Sequence, residues 1–344
     1  NLDRSYRRMQ SVVAAEWAPA TQVAKSDAER AEACHTPFDF AFARGGHATA
    51  PRPPAIGGPP GAGLNLNLAL ALAEASRGLS RSPSLPRYQW QGVTRVILTS
   101  LGLRRHQACP ALQREFERLC PGSTARGARV VYDATAAICD GPDDRRAPLP
   151  MARAERLAAG ARFAATLSAE YGFGSCDVFD LSAPDFDAGA YAQCVRRADV
   201  YYNDVGNTWA LLHYLRVRGA DRTPDGLVDR ARRGELLYVG NSAGGIVAGR
   251  SVDTALWKNW DDPWGWQQSL PAHARSDWSD PATRIALDIA GGASFFPHYG
   301  PQWTGVCAER SCRLDHKVIC VPDGAGVIFE NGVVRLATHD SLHI

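Results

Sequence analysis

The amino-acid sequence predicts an α/β fold: a three-layer sandwich in which helices cover both faces of a mostly parallel central sheet. From Thr94 onward, short apolar runs typical of buried strands alternate with segments of helical spacing. Strands joined by helices pair in parallel, and ligands bind such sheets beyond the carboxyl ends of the strands. The residues that directly follow each strand are therefore the candidates for function.

The predicted elements follow one another in a regular order. The strand TRVILTSLGL precedes the helical segment ALQREFERLC, and ARVVYDATAAI contains the next strand. The helix MARAERLAAGARFAATLSAEYG then leads to the strand CDVFDL, and AGAYAQCVRRA leads to DVYYNDV. Finally, TWALLHYLRVRG leads through a second helix to the strand ELLYVG. This repetition predicts right-handed crossovers within a single sheet.

The first part of the chain has a different composition. Residues 1–92 contain an alanine-rich stretch and then GGHATAPRPPAIGGPPGAG, whose glycine and proline content excludes regular structure. We interpret residues 1–92 as an N-terminal extension and linker, and residues 93–344 as the folded domain. The sequence starts at Asn1 without methionine and its first stretch is rich in Ala, Arg and Ser, which indicates either a removed leader or an incomplete start.

Composition excludes several classes of partner. The 38 basic residues nearly balance the 36 acidic ones, so the net charge of +2 provides no general attraction to nucleic acid or to an acidic membrane. No run of about 18 apolar residues occurs, so no transmembrane segment is predicted. Any charged partner must therefore be recognised locally, and a protein partner or a second copy of the chain is a further option.

The nine cysteines indicate a reducing compartment, either the cytoplasm or the interior of an organelle. They are odd in number and scattered. Cys307 and Cys312 form the only close pair, and a single C-x4-C spacing is weak evidence for zinc. We therefore expect structural thiols, no metal and no cofactor.

The segment GELLYVGNSAGGIVAGRS predicts a nucleophile elbow at Ser242. Gly240 and Gly244 flank the serine between an apolar strand and a helix of small residues, the context that a G-x-S-x-G elbow requires. The nucleophile occupies a strained turn, and neighbours without side chains let backbone and substrate approach it. The alternative is a tight turn whose glycines serve packing alone.

A serine hydroxyl needs a base that accepts its proton, and His298 is the leading candidate. It lies in GGASFFPHYGPQW, where an apolar run ends at Pro297 and a loop begins, as expected at the carboxyl end of a strand. The alternative, here as for the other histidines, is a surface residue or a hydrogen-bonded core residue.

Five motifs together carry a family resemblance. In order they are VGNTWALL, YVGNSAGG, WDDP, FFPHYGPQW and VPDGAGVIFENG. This set resembles the peptidase E and cyanophycinase family, serine peptidases of the class I glutamine amidotransferase-like superfamily. The resemblance covers about residues 94–338 and implies a flavodoxin-like variant of the predicted fold.

The resemblance implies a Ser-His-acid arrangement. It makes Ser242 the nucleophile and His298 the general base, with Asp323 of VPDG as the carboxylate that orients the imidazole. Asp262 of WDDP is the alternative acid, or a structural or substrate-facing one. Each aspartate precedes a proline or a glycine and is also typical of a turn.

The resemblance also implies an oxyanion hole built from the backbone N–H groups of Ala243 and of the loop at Gly206. Relatives have a run of glycines at that loop, whereas this chain has Asp204 and Val205. A positive φ at either residue would strain the backbone, and a carboxylate beside the hole would repel the developing charge.

The substrates that the resemblance implies are short peptides with an N-terminal aspartyl residue, or aspartyl-linked polymers. Asn207 is then a substrate-binding residue, and Lys258 or Arg250 supplies the cation that faces the substrate carboxylate.

Two other hypotheses remain open. A catalytically inactive homologue would serve as a binding or scaffold subunit, with the extension and a tryptophan cluster as docking surfaces. That cluster would equally well wall the pocket or pack an insertion onto the domain. The third hypothesis is an α/β-hydrolase esterase, although no HGGG-type loop precedes the serine. The cluster comprises Trp257, Trp260, Trp264, Trp266, Trp278 and Trp303.

Overall fold

The computed structural model describes residues 94–139 and 153–338. The predicted extension, residues 1–92, lies outside these residues, as do Cys34 and the histidines at positions 35, 47, 339 and 343. The division between extension and domain therefore stays a prediction.

A seven-stranded sheet forms the centre of the fold, with the strand order β3-β2-β4-β5-β1-β8-β9. The first five strands of the chain pair in parallel, β8 runs antiparallel to β1, and β9 runs antiparallel to β8. The predicted mostly parallel sheet is thus confirmed. The strands are β1 (Arg95–Thr99), β2 (Arg129–Asp133), β3 (Ser175–Phe179), β4 (Val200–Asn203), β5 (Leu237–Asn241), β8 (Gly326–Glu330) and β9 (Val333–Ala337).

Helices connect the parallel strands, as the alternating pattern predicts. Short 3-10 turns fill much of the segment 253–284, after β5. Within the described residues the α-helices are α1 (Pro110–Leu119), α2 (Thr135–Cys139), α3 (Arg153–Tyr171), α4 (Ala188–Arg197), α5 (Thr208–Val217), α6 (Leu227–Arg232), α7 (Ala243–Ala248) and α8 (Thr304–Ser311).

The two faces of the sheet are covered by different helices. Successive side chains of a strand point to opposite faces, and β4 shows this with two adjacent tyrosines. Tyr202 packs near Phe163 of α3, with ring centroids 6.3 Å apart, whereas Tyr201 packs near Tyr191 of α4 at 6.4 Å. The predicted three-layer arrangement is therefore confirmed.

A second, smaller sheet lies beside the first. It consists of β6 (Ser294–Phe296) and β7 (Val318–Cys320), which pair in parallel with Phe296 opposite Cys320. Parallel strands end at the same edge, so the residues that follow β6 and β7 come together.

A buried polar network lies at the end of β2. The carboxylate of Asp133 accepts hydrogen bonds from the Thr135 N–H at 2.9 Å and the Tyr201 hydroxyl at 3.0 Å. Tyr201 in turn contacts the Tyr191 hydroxyl at 2.9 Å. Asp133 is completely buried, and burial raises its pKa to about 6. These bonds satisfy a carboxyl group that water cannot reach.

None of the helices in the described ranges has the length and apolar character that crossing a bilayer would require.

Candidate active site

Ser242 occupies a sharp turn between β5 and α7. Its φ of 49° and ψ of −103° are unusual for a residue with a side chain, and its N–H donates to the Thr99 carbonyl at 2.8 Å. A Cβ at Gly244 would lie 2.5 Å from the Asn203 carbonyl oxygen, so only glycine lets the start of α7 approach β4 this closely. We call this strained turn between β5 and α7 the elbow.

The imidazole of His298 lies against this serine. Its Nε2 is 2.9 Å from Ser242 Oγ, and its Nδ1 is 2.7 Å from Asp323 Oδ1. An ionised carboxylate only accepts hydrogen bonds, so Nδ1–H donates to Asp323 and Nε2 keeps its lone pair for the serine proton. The structure thus brings three of the predicted residues into one continuous hydrogen-bonded chain.

The small sheet explains why His298 and Asp323 meet. His298 follows the end of β6 by two residues, and Asp323 follows the end of β7 by three. Because Phe296 and Cys320 are paired in register, the two side chains extend from adjacent strand ends. Asp323 has a side chain 42% exposed, whereas that of His298 is only 10% exposed. The His298 imidazole is therefore enclosed by the protein, whereas the Asp323 carboxylate faces water.

The backbone of His298 is also in the left-handed region, with a φ of 53°. Its N–H donates to Ser100 Oγ at 2.9 Å, and the Ser100 hydroxyl donates to the Val321 carbonyl at 2.8 Å. The next residue, Tyr299, donates its N–H to the same Val321 carbonyl at 3.0 Å. The sequence analysis missed Ser100, although a polar residue directly after the buried strand β1 was a usable signal.

Asp262, the alternative acid, makes a different set of contacts. Its carboxylate accepts from the Trp264 N–H at 2.7 Å, as in an aspartate turn, and the residue is exposed. The neighbouring Asp261 reaches further, because its carboxylate accepts from the Thr208 N–H at 3.1 Å. Burial raises the pKa of Asp261. The structure thus brings Asp323, and not Asp262, to His298.

The loop after β4 lies beside the elbow. Gly206 has a φ of 130°, and a Cβ there would come within 2.3 Å of the Ala136 carbonyl group, so glycine is required. The Asp204 carbonyl accepts from the Gly244 N–H at 3.3 Å and ties the loop to the start of α7. Ala243 is the first residue of α7, where helix N–H groups have no intrahelical acceptor.

The departures at Asp204 and Val205 do not have the expected consequences for the backbone. Neither residue has a positive φ, which falls at Gly206 instead. The Asp204 carboxylate is buried and accepts from the Tyr132 hydroxyl and, at 3.2 Å, from the Asn241 side chain. Burial raises the pKa of Asp204 above its ordinary value.

Asn207 and Arg250, both predicted to bind substrate, have other contacts. The amide of Asn207 caps α5 by accepting from the Ala210 N–H at 2.9 Å and donates to the Asp262 carbonyl at 3.1 Å. Arg250 lies beyond the far end of α7 from Ser242, and its guanidinium pairs with Asp315 at 2.6 Å. The structure therefore does not bring Arg250 to the elbow, because the helix separates them.

Lys258 is close to the site, but its ammonium group makes its contacts with other groups of the protein. Its ammonium group donates to the Pro297 carbonyl and lies over the rings of Trp260 at 4.4 Å and Phe296 at 4.2 Å. The ring of Trp303 lies at 5.9 Å. Burial lowers the pKa of Lys258 to about 7. We call these three rings and the Pro297 carbonyl the lysine box.

The tryptophan cluster divides into separate groups. Trp278 is buried against Trp209, with ring centroids 5.1 Å apart, and Trp266 packs near His213 at 5.0 Å. Trp260 is 41% exposed and lies 5.6 Å from the His298 ring, so it forms part of the site. Packing and site roles therefore both occur, and a partner-binding role stays a prediction.

The close cysteine pair of the sequence is not a pair in space. Cys312 is exposed and its thiol donates to the Glu309 carbonyl, whereas Cys307 is buried and contacts Cys320. Across residues 94–139 and 153–338, no group of three His, Cys, Asp or Glu side chains is arranged to hold a metal ion.

Two solved structures are similar to this chain. One is a candidate peptidase E protein from Listeria monocytogenes EGD-e, with 18% identity and a TM-score of 0.48 over 71% of this chain and 98% of the other. The second is a peptidase from an acI-B1 actinobacterium, with 18% identity and a TM-score of 0.46 over 73% and 89%. No family model and no curated protein matches the chain.

Proposed function

We propose that the protein is a serine-type, peptidase-like hydrolase. The observation that carries the proposal is the continuous chain from Ser242 Oγ through the His298 imidazole to the Asp323 carboxylate, with contacts of 2.9 and 2.7 Å. Distances in this range allow a proton to move directly from the serine to the imidazole. The strained turn at Ser242 supports the same function, since it presents the hydroxyl at the edge of the sheet.

The mechanism forms and hydrolyses an acyl-enzyme. Ser242 Oγ attacks the substrate carbonyl while its proton passes to His298 Nε2. The tetrahedral intermediate collapses, the amine leaves with that proton, and an ester to Ser242 remains. Water then attacks the ester, with His298 accepting its proton and returning one to Ser242. Asp323 orients the imidazole and stabilises its cationic form, and does not itself take the proton.

The negative charge of the tetrahedral intermediate needs donors beside Ser242. The N–H groups of Ala243 and Gly206 are the proposed donors, since one begins α7 and the other lies on the loop tied to it through Gly244 and Asp204. Backbone donors held in place before the reaction give stabilisation of this kind. The buried position of the Asp204 carboxyl group is compatible with this role.

Short peptides are the proposed substrates, with an N-terminal aspartyl residue as the form that the motif resemblance implies. A matched pair of dipeptides, aspartyl-leucine and asparaginyl-leucine, separates this specificity from general dipeptidase activity. Release of free leucine from the first peptide alone supports it. Equal release from both would leave the hydrolase and remove the aspartyl preference.

A fluorophosphonate probe tests the hydrolase itself. The folded wild-type protein is expected to form a covalent adduct, and the Ser242→Ala variant is expected to form none. The control is Ser175→Ala, the same change at an exposed serine at the start of β3, which should be labelled at the wild-type rate. Mass spectrometry should place the adduct on Ser242.

Folded wild-type protein that remains unlabelled would contradict the proposal and would support the inactive scaffold.

The esterase hypothesis has a structural objection. In α/β-hydrolases the acid precedes the histidine in the chain, whereas the acid that contacts His298 here is Asp323, which follows it.

A further inference from the structure

His298 has a backbone conformation, with a positive φ, that residues with a side chain do not favour. A positive φ is less favourable than the right-handed region for a residue with a side chain. The surroundings must therefore hold the segment 297–299 in place. Two of the holding contacts run through Ser100 and Val321, which bind the N–H groups of His298 and Tyr299.

A third contact holds the peptide group before His298. The Pro297 carbonyl accepts a hydrogen bond from Lys258 Nζ. The N–H of the same peptide group is that of His298, which donates to Ser100 Oγ, so both ends of this peptide group are held. Lys258 follows the 3-10 turn Asp253–Trp257, so the contact joins a segment after the elbow to the histidine loop. Lys258 therefore acts on the peptide group that sets the direction of the imidazole.

The lysine box explains why the ammonium group is confined to this carbonyl. Aromatic faces attract a cation, and the rings of Trp260 and Phe296 lie within 4.4 and 4.2 Å of Nζ. The charged and titratable groups that face Lys258 are Asp323, Asp261, Cys307 and Cys320. Of these, Asp323 is the acid that is hydrogen-bonded to His298. Lys258 is therefore coupled to the site both through its hydrogen bond to the Pro297 carbonyl and through the charge of its ammonium group.

We propose that Lys258 is a positioning residue: its amine, enclosed by the lysine box, holds the Pro297 carbonyl so that the His298 imidazole faces Ser242. The role rests on the proposed hydrolase and replaces the predicted role of Lys258 as a cation for substrate. The amine does not contact the reacting atoms. It acts through the backbone of the loop.

The energetic cost of this lysine supports a functional role. Burial of an ammonium group disfavours folding, and a lysine whose pKa falls from 10.5 to about 7 is less stable in its charged form inside the protein. Lysine is also scarce, because the chain has only Lys25, Lys258 and Lys317 among its 38 basic residues. A methionine would fill an aromatic box without this cost.

The experiment compares Lys258→Met with Lys317→Met, the same change at an exposed lysine. Fluorophosphonate labelling is measured over a range of probe concentrations. Lys258→Met is expected to lower the maximal labelling rate about tenfold or more, with the half-saturating probe concentration unchanged and the melting temperature equal to or above that of the wild type. Lys317→Met should match the wild type in all three.

A second measurement does not depend on catalysis. In protein labelled with ¹⁵N-histidine, the proton on His298 Nδ1 that is bonded to Asp323 should give a downfield NMR signal, assigned by its loss in Asp323→Asn. Lys258→Met is expected to broaden or shift this signal, and Lys317→Met to leave it in place.

The outcomes separate the two proposals. The role of Lys258 alone is overturned if the wild type is labelled, Lys258→Met is labelled equally fast and the NMR signal of His298 is unchanged. A folded wild type without labelling overturns the hydrolase, and the NMR signal then still decides whether Lys258 positions His298. If Lys258→Met is labelled more slowly and also has a melting temperature well below that of the wild type, Lys258 has only a structural role and the positioning role is overturned.

Discussion

Two residues of the candidate site, Ser242 and His298, share an unusual backbone conformation and are held in it by different means. Ser242 and His298 have φ values of 49° and 53°. The turn at Ser242 relies on Gly240 and Gly244, each two positions away, whose missing side chains let α7 pack against β4 and β5, and on one longer-range bond from its N–H to the Thr99 carbonyl. The loop at His298 is fixed by Ser100 and Lys258, which are 198 and 40 positions away.

The turn at Ser242 and the loop at His298 should therefore tolerate different kinds of substitution. The elbow depends on the absence of side chains, so adding a methyl group should break it while removing polar groups should matter little. The histidine loop depends on long-range hydrogen bonds, so removing one polar group should loosen it without unfolding the sheet. The predictions below separate these two kinds of support.

The largest effect is expected from the imidazole itself. His298→Gln keeps a polar side chain of similar size but removes the base, so the labelling rate should fall by roughly four orders of magnitude or more. Labelling kinetics with the fluorophosphonate probe measure this loss. His273→Gln, at an exposed histidine in a 3-10 turn, is the control and should label as the wild type does. A His298→Gln rate within tenfold of the wild type would remove His298 from the mechanism.

Adding one methyl group to the elbow should destabilise the fold. A Gly244→Ala side chain would lie 2.5 Å from the Asn203 carbonyl oxygen, and overpacking against a backbone atom costs about 3 kcal/mol or more. The free energy of unfolding from urea titration measures the loss. Gly305→Ala in α8 is the control, because no atom lies within 4 Å of its Cβ. That helix should become more stable by up to about 1 kcal/mol. A Gly244→Ala variant as stable as the wild type would contradict the local origin of the elbow.

A buried carboxyl group contrasts with the half-exposed Asp323. The pKa of Asp133 is raised from 3.8 to about 6 by burial, so its contribution to stability is complete below pH 3.8 and is lost as the pH rises through 6. Asp133→Asn removes this titration. The unfolding free energy of the wild type relative to the variant should fall by about 2 kcal/mol between pH 4 and pH 7. Urea titrations at each pH measure it, and a difference independent of pH would show that Asp133 is ionised throughout.

The smallest effect is expected from the long-range support of the histidine loop. Ser100→Ala leaves the His298 N–H without its acceptor, so labelling should slow about tenfold and stability should fall by roughly 2 kcal/mol. Ser175→Ala, at the exposed serine that begins β3, is the control and should change neither quantity. Unchanged labelling in a folded Ser100→Ala variant would mean that the remaining contacts suffice to hold the loop.

The sequence by itself determined those features that depend on neighbouring residues. Alternating strands and helices predicted the parallel sheet, because buried strands and amphipathic helices each have a local pattern. The glycines around Ser242 predicted the elbow for the same reason. The motif resemblance also singled out His298 and Asp323, which the structure brings together, although their catalytic roles stay proposals.

Only the tertiary structure decided which distant groups meet. The register of β6 against β7 brings Asp323 rather than Asp262 to the imidazole, and no local pattern encodes that register. The buried carboxyl group of Asp204 and the direction of the Lys258 amine likewise depend on partners from other elements. A side chain's role follows from what surrounds it in space, and the sequence lists neighbours only along the chain.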